Sequence, residues 1–422
     1  MGRNVPQLRF PEFTAEWEEK TLGDIFTFYS TNSLSRDKLN YTGGPYKNIH
    51  YGDIHMIFPT VLNVSETEIP YINEGVKVKV TEDNFVVDGD IAIADASEDY
   101  ADIGKAIEIV GVGDEKLVCG LHTLHGRDLN NVMINGFKGY LLRTPKVRRQ
   151  MMTLCAGAKV LGISKDNINS VSIMLPSKEE QEKIKNLLVA YDKLIRNQEE
   201  KISALKERKQ GLLKKIFTQQ VRFKDQDGND YPAWEEKTLG DICDLITKGT
   251  TPKEYNSNYE VNFVRIDSIE NGTINVEKCL KINNEVHTTV LARSILKEND
   301  ILCSIAGALG VTAVVNKSIL PANTNQALAI VRLKETENVS FVAITLGSYT
   351  MKRYIRKCKT VGAQPNISLA QMNDFKIPYP CVEEQKKIAE VLSAFDKKIE
   401  IEQEILSNMQ EFKKGLLQKM FI

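Results

Sequence analysis

Two groups of polar side chains carry the chemistry that this 422-residue sequence offers. One is Lys47, Asn48, His50 and Tyr51, then Ser97, Asp99 and Tyr100 within DASEDY (95–100), then His122, Thr123 and Arg127. The other is Lys248, Thr250, Thr251 and Lys253 within TKGTTPK (247–253), then Arg265, Asp267, Ser304, Asn323, Asn325 and Gln326. These side chains present donors and acceptors in fixed geometry. Arg or Lys suits the guanine edge, Asn or Gln adenine, and Asp or Glu the cytosine amino group. Lys, Arg and hydroxyl groups also suit phosphate. The acidic loop either accepts from cytosine amino groups or is solvated. The basic stretch MKRYIRKCK (351–359) either meets phosphate or forms a solvated helix face.

Catalytic constellations are missing. There is no [DN]-P-P-[FY] adenine-methyltransferase motif and no G-x-x-x-x-G-K-[ST] phosphate loop. GVG at 111–113 is too short for a cofactor loop. His122-x-x-His125 could hold a metal on one helix face, but its flanking glycines argue for a turn, and no Cys or acidic ligand spacing accompanies it. Asp90 and Asp300 precede alternating apolar runs and read as turn residues before buried strands.

A chain of this length exceeds what one core supports, so two or more domains must position these residues. Hydrophobic content of 42% and charged content of 26% describe a soluble globular protein. No apolar run approaches a membrane span. The start MGRNVPQLRFPEF has no apolar signal region, and Pro6 argues against myristoylation. Seven cysteines without a C-x-x-C pair suggest reduced thiols in a cytoplasmic setting. A net charge of −1 gives no general support to nucleic-acid binding, so cations must be locally arranged or supplied by a partner.

The chain repeats itself. WEEKTLGDI occurs at Trp17–Ile25 and at Trp234–Ile242, 217 positions apart (234 − 17). A second repeat aligns 175–217 with 379–421 at an offset of 204 (421 − 217), matching Pro176 with Pro380, Glu180-Gln181 with Glu384-Gln385, and Gly211-Leu212-Leu213 with Gly415-Leu416-Leu417. The blocks between diverge but share a skeleton: 85–96 resembles 295–306, 103–110 resembles 309–316, 46–54 resembles 261–269, and 162–176 resembles 366–380. Short β-branched runs with Gly, Asn and Asp turns read as strands, with helical stretches near 139–158 and 340–360. Each half is therefore expected to be an α+β domain followed by a long helix. The expected boundaries are 1–175, 176–217, 218–379 and 380–422.

Both helices carry a heptad seam. In the first, Ile184, Tyr191, Gln198, Leu205 and Leu212 occupy d, and Leu188, Ile195, Ile202, Lys209 and Ile216 occupy a. The second has Ile388, Phe395, Glu402, Met409 and Leu416 at d, and Leu392, Ile399, Leu406, Lys413 and Met420 at a. Such a narrow stripe reads as a coiled-coil seam rather than a helix covering its own domain. A parallel pair would set Lys209 against Lys413, so antiparallel pairing is expected. About 38 helical residues span roughly 55–60 Å. Two related but different domains, disposed by a pseudo-two-fold pair of helices, suit duplex DNA with two unlike half-sites and an unread spacer.

At this point the order of motifs resembles the specificity subunit of a type I restriction–modification system. The duplicated W-x-x-x-x-L-G-D-I start, TKGTTP at 247–252, the P…EEQ helix entries and the GLL.K.F helix ends carry the resemblance over essentially the whole chain. It implies two target-recognition domains and an antiparallel coiled coil. It also implies assembly with two modification subunits that use S-adenosylmethionine to methylate adenine, and with restriction subunits that use ATP and Mg. The chain itself would bind no cofactor and catalyse nothing. A stand-alone bipartite DNA-binding regulator and a coiled-coil scaffold are the alternatives. Trp17 and Trp234 are expected to anchor packing where each domain meets a helix end.

Inserting one helical turn into both long helices is expected to lengthen the spacer or abolish activity, with the bases of both half-sites unchanged. Methylation-site mapping reads this directly, and altered half-site bases would refute the measuring role.

Overall fold

The computed structural model describes residues 4–157, 160–255, 258–270, 272–358 and 366–422. Met1-Gly2 and Lys359 lie outside them. The chain divides into two compact units: Met1–Glu199 with Glu404–Ile422, and Glu200–Gln403.

The repeated nonapeptide folds the same way in both. Glu18–Thr21 pairs antiparallel with Ser172–Leu175, and Glu235–Thr238 with Lys376–Tyr379. Thr21 then caps the turn Leu22–Ile25, its N–H and hydroxyl donating to Asp24 at 2.8 and 2.7 Å. Thr238 and Asp241 repeat both bonds. A threonine followed three residues later by aspartate is a reciprocal cap, so K-T-L-G-D encodes strand, cap and turn.

The tryptophans meet helix ends, as expected. Trp17 is buried edge-on against Phe421, and Trp234 is edge-on against Phe217. Arginines just upstream hold a buried glutamate at each helix start: Arg9 forks onto Glu180 at 2.7 Å, and Arg222 onto Glu384 at 3.2 and 2.7 Å. Gln181 and Gln385 donate to the carbonyls of Pro176 and Pro380. The R-F, W and P…EEQ motifs are thus one contact cluster. The copies differ in one bond: the Trp234 indole donates to Glu384, while the Trp17 indole N–H has no partner among the described residues.

Above this base, each unit builds two sheets of matching topology. In the first, the order Thr27–Tyr29, Thr123–Arg127, Ile91–Ala94, Ala106–Val110, Val61–Asn63 forms five strands. In the second, Cys243–Lys248, Leu328–Leu333, Ile301–Ser304, Thr312–Val314 forms four. The other sheet holds a parallel pair: Lys47–Ile49 with Leu117–Cys119, and Val261–Val264 with Ala322–Thr324. Apolar runs such as Ile91–Ala94 are buried on both faces, which is why they lack polar alternation.

The long helices are Lys178–Phe217 and Val382–Lys419. Their pairing is antiparallel in each unit. In the first, Tyr191 stacks on Phe412 and Lys413 bonds Asp192, while Ile184 and Leu188 share a core with Leu416 and Met420. In the second, Lys209 bonds Asp396 at 2.5 and 2.6 Å, Lys201 pairs with Glu402 at 2.7 Å, and Leu213 and Ile216 share a core with Ile388 and Leu392. The two lysines on the seam therefore each meet an aspartate at equivalent positions.

Asp90 and Asp300 are buried beside arginines. Arg127 forks onto Asp90 at 2.8 and 2.7 Å, and Arg332 onto Asp300 at 2.7 Å. Burial pushes the Asp90 carboxyl up, but Arg127, His125 and the Val87 N–H outweigh it and hold the group below its ordinary value. A depressed folded pKa stabilises the protein above the unfolded value and loses that contribution as pH falls through the folded one, below about pH 4. Asp90→Asn is expected to lower stability at neutral pH by about 1–3 kcal/mol. It should also flatten the acid limb of a stability–pH profile measured by denaturant unfolding.

Candidate nucleic-acid interface

In the first unit, the parallel strands Lys47–Ile49 and Leu117–Cys119 end at one edge. The chain leaves them at His50 and Gly120. Gly120 is required there, because a Cβ would lie 2.4 Å from the Asn48 amide nitrogen. His50 caps the helix Tyr51–Met56 by accepting from the Gly52 N–H at 3.1 Å. Burial pushes the His50 pKa down against the pull of Asp53, keeping the imidazole neutral for that role. Tyr51 contacts His50, His55 and His122 rings at 4.6, 5.8 and 5.3 Å. His122, in the left-handed region at φ 54°, is exposed and bonds Asp95 at 3.1 Å. Burial raises the Asp95 carboxyl, although His122 opposes it.

The second unit builds the equivalent edge from Val261–Val264 and Ala322–Thr324. The chain leaves them at Arg265 and Asn325. Thr324 donates to the Val264 carbonyl at 2.9 Å, and its own carbonyl accepts from the Thr250 N–H at 3.1 Å. Gly249 fits because it has no side chain: a Cβ would lie 1.9 Å from the Thr324 oxygen. The TKGTTPK segment is thereby clamped onto the 324–326 loop, and Thr251 bonds Gln326. Lys248, Gln326, Asn366 and Ser368 line a cleft of about 410 Å³. A second cleft, about 370 Å³, lies by Asn338, Lys386 and Lys397 and is lined by none of the candidates.

The family described as the type I restriction modification DNA specificity domain matches residues 14–207 and 232–411. The chain belongs to this family. Its MjaVIII specificity subunit relative from Methanocaldococcus jannaschii is 26% identical over 291 residues, 66% of this chain and 68% of that one. A second chain from that organism, MjaX, carries the same subunit designation in its name and is 25% identical over 425 residues, 98% and 95% of the two chains. The type I S subunit crystal structure from M. genitalium matches the fold with a TM-score of 0.53 at 17% identity, covering 99% of both chains.

The specificity domain thus occurs twice, and its two copies place the sequence candidates unevenly. His122, Asp99 and Tyr100 are exposed in the first, with Tyr51 half-buried beside them. Lys248, Thr251, Lys253, Asp267 and Gln326 are exposed in the second, with Thr250, Arg265 and Asn325 half-buried. The remaining candidates are buried, apart from half-buried Arg127. Lys47 pairs with Glu115, Asn48 accepts from Asn32, and Thr123 donates to the Gly120 carbonyl. Ser97 accepts from the Asp99 N–H, and Arg127 is engaged by Asp90. Ser304 bonds Ala308 and Val311, and Asn323 bonds His287, Leu291 and Ser294.

The two histidines of His122-x-x-His125 part company: His122 bonds Asp95, whereas buried His125 bonds Asp90 at 2.7 Å. Among the described residues no group of three His, Cys, Asp or Glu side chains could hold a metal ion. Asp95, the first residue of the candidate DASEDY loop, lies at this edge as well. The edge also contains residues outside the sequence candidates. Tyr255 packs on Phe263 at 5.4 Å, and exposed Arg293 donates to Thr250 at 3.0 Å. The matching offset between Ile72 and Ile282 could have pointed to Arg293, since Asp83 stands at its equivalent (293 − 83 = 282 − 72).

Gly249→Ala is expected to destabilise the second domain by about 1–3 kcal/mol through overpacking. It should weaken recognition of one half-site only. Gly415→Ala, in a helix with open space around it, is the control and should stabilise by roughly 0.5–1 kcal/mol. Thermal unfolding checks both.

Proposed function

We propose that this chain is the DNA-recognition subunit of a type I restriction–modification assembly. It reads an asymmetric bipartite target and directs modification and restriction subunits to it. One observation carries the reading: the family's DNA specificity domain occurs twice, and equivalent edges carry different polar groups. Imidazoles and carboxylates dominate one edge, and ammonium, guanidinium and amide groups the other. Unlike edges select unlike half-sites.

Residues 1–175 and 218–379 act as the recognition domains in this reading, and 176–217 and 380–422 as the helices that set the spacer. Exposed His122, Asp99, Tyr100, Lys248, Thr251, Lys253 and Gln326 contact DNA, assisted by Tyr51, Thr250, Arg265, Asp267 and Asn325. Buried Lys47, Asn48, His50, Ser97, Thr123, Ser304 and Asn323, with half-buried Arg127, shape the edges. Two modification subunits supply S-adenosylmethionine chemistry, and restriction subunits use ATP and Mg. The chain itself is non-catalytic and acts in the cytoplasm with its partners. Among the described residues no helix is long and apolar enough to cross a membrane.

Affinity for a duplex depends on how many cations a protein presents to phosphates. A chain of net charge −1 presents few in excess. The isolated subunit is therefore expected to shift a duplex weakly in gels at physiological salt, and addition of modification subunits should raise affinity by at least a hundredfold on the order set by several phosphate contacts. Tight, specific binding by the isolated chain would contradict the division of labour. Failure of the complex to bind any bipartite duplex would contradict the function.

A further inference from the structure

Arginine 265 is the evident guanidinium at the second edge, but it is not the free one. Its Nη2 donates to Asp267 at 2.5 Å, and Asp267 shares its charge. Arg293 differs. It lies on the 3-10 turn Ala292–Ser294, exposed, and its Nη2 donates to the Thr250 hydroxyl at 3.0 Å. Among the described residues no carboxylate lies within ion-pair distance of it. One bond fixes the fork, and among the described residues no other acceptor holds its remaining N–H groups.

The turn beneath Arg293 is held rigidly. Leu291 is buried, and its carbonyl accepts from the Asn323 amide at 3.0 Å. The same amide reaches the Ser294 hydroxyl at 3.3 Å, and Asn323 also bonds His287. Ile295 then bridges to Asn323 in antiparallel fashion. Fully buried Asn323 therefore pins the turn from below while Thr250 steers the guanidinium above. Binding costs least when such a group is already oriented.

The first domain has the same turn with opposite charge. Glu82–Asn84 is a 3-10 turn, and Phe85 after it bridges to Val118 as Ile295 does to Asn323. Asn84 ties the turn to Ser30, donating to its carbonyl at 2.8 Å and hydroxyl at 3.0 Å. Exposed Asp83 occupies the place of Arg293. A donor fork in one copy and an acceptor in the other is the difference expected of positions that read different bases.

We propose that Arg293 is a specificity-determining residue that donates two hydrogen bonds to a guanine edge in the half-site read by the second domain. The proposal rests on the DNA-recognition reading above. Arg fits guanine N7 and O6 as a planar pair of donors, which lysine does not reproduce. At the equivalent turn of the first domain, Asp83 offers acceptors in place of donors.

The test uses the complete modification complex on a DNA pool randomised at each half-site, with methylated sequences read by single-molecule sequencing. Arg293→Ala is expected to reduce the preference for guanine at one position of one half-site by roughly ten- to hundredfold. The other half-site and the spacer should stay unchanged, and Arg293→Lys should restore little. An unchanged preference overturns the proposal. So does uniform weakening on all sequences with a shallower salt dependence, which marks a phosphate contact. If Arg293→Ala lowers the melting temperature, Arg293→Lys alone decides by the same readout. A wild-type complex that shows no bipartite target overturns the underlying function instead.

Discussion

A buried carboxylate at the start of each long helix holds the architecture together. Glu180 and Glu384 have almost no contact with solvent, so each needs a fixed cation. Arg9 and Arg222 supply it, and both guanidinium pKa values are raised by that bond. The negative charge also lies in the first helical turn, where the helix field favours it. Each pair joins an upstream segment, a tryptophan junction and a helix entry in one contact. The Glu18–Thr21 and Glu235–Thr238 strands then take their places beside the strands that lead into those helices. The polar strand edges of both units are downstream of this placement.

Much of the frame was legible because it is written twice. An offset that stays constant over forty residues reveals equivalent helices, and the 4–3 spacing reveals their seam. The seam lysines even favoured the antiparallel pairing now seen in Lys209–Asp396 and Lys413–Asp192. Interior polar groups were less legible. Asn323, Thr123 and Ser304 have the right chemistry for a base edge, but they satisfy backbone and side-chain partners inside the fold; buried Asn48 does so only through its Oδ1, which accepts from Asn32. Residue type does not separate the two uses, because a buried polar group needs a partner as much as a DNA base does. The buried Lys138–Glu108 pair was invisible for the same reason. Arg293 escaped notice because nothing in its local sequence distinguishes it. Only the matching turn around Asp83 gives it meaning.

The two domains divide constancy from variation at residue level. Asp90–Arg127 and Asp300–Arg332 are the same lock on matching strands. A few residues away, His50 stands where the other copy has Arg265, and Asn32 where it has Thr250. The sheets fix where a side chain emerges, and the turns between them decide which functional group it carries. The exposed groups can then differ between the copies without disturbing the core, because these positions cap strands rather than fill them.

The lysine–aspartate pairs have one more consequence. Asp192 and Lys209 lie on one helix, and Asp396 and Lys413 are their equivalents on the other. Any two such helices laid antiparallel would satisfy both charges, including two copies of the same one. What separates the two helices of one chain from two copies of one helix is the rest of the seam: a self-pair would set Lys201 against Gln198, Glu402 against Ile405 and Tyr191 against Arg208, losing the Lys201–Glu402 ion pair and the Tyr191–Phe412 stack.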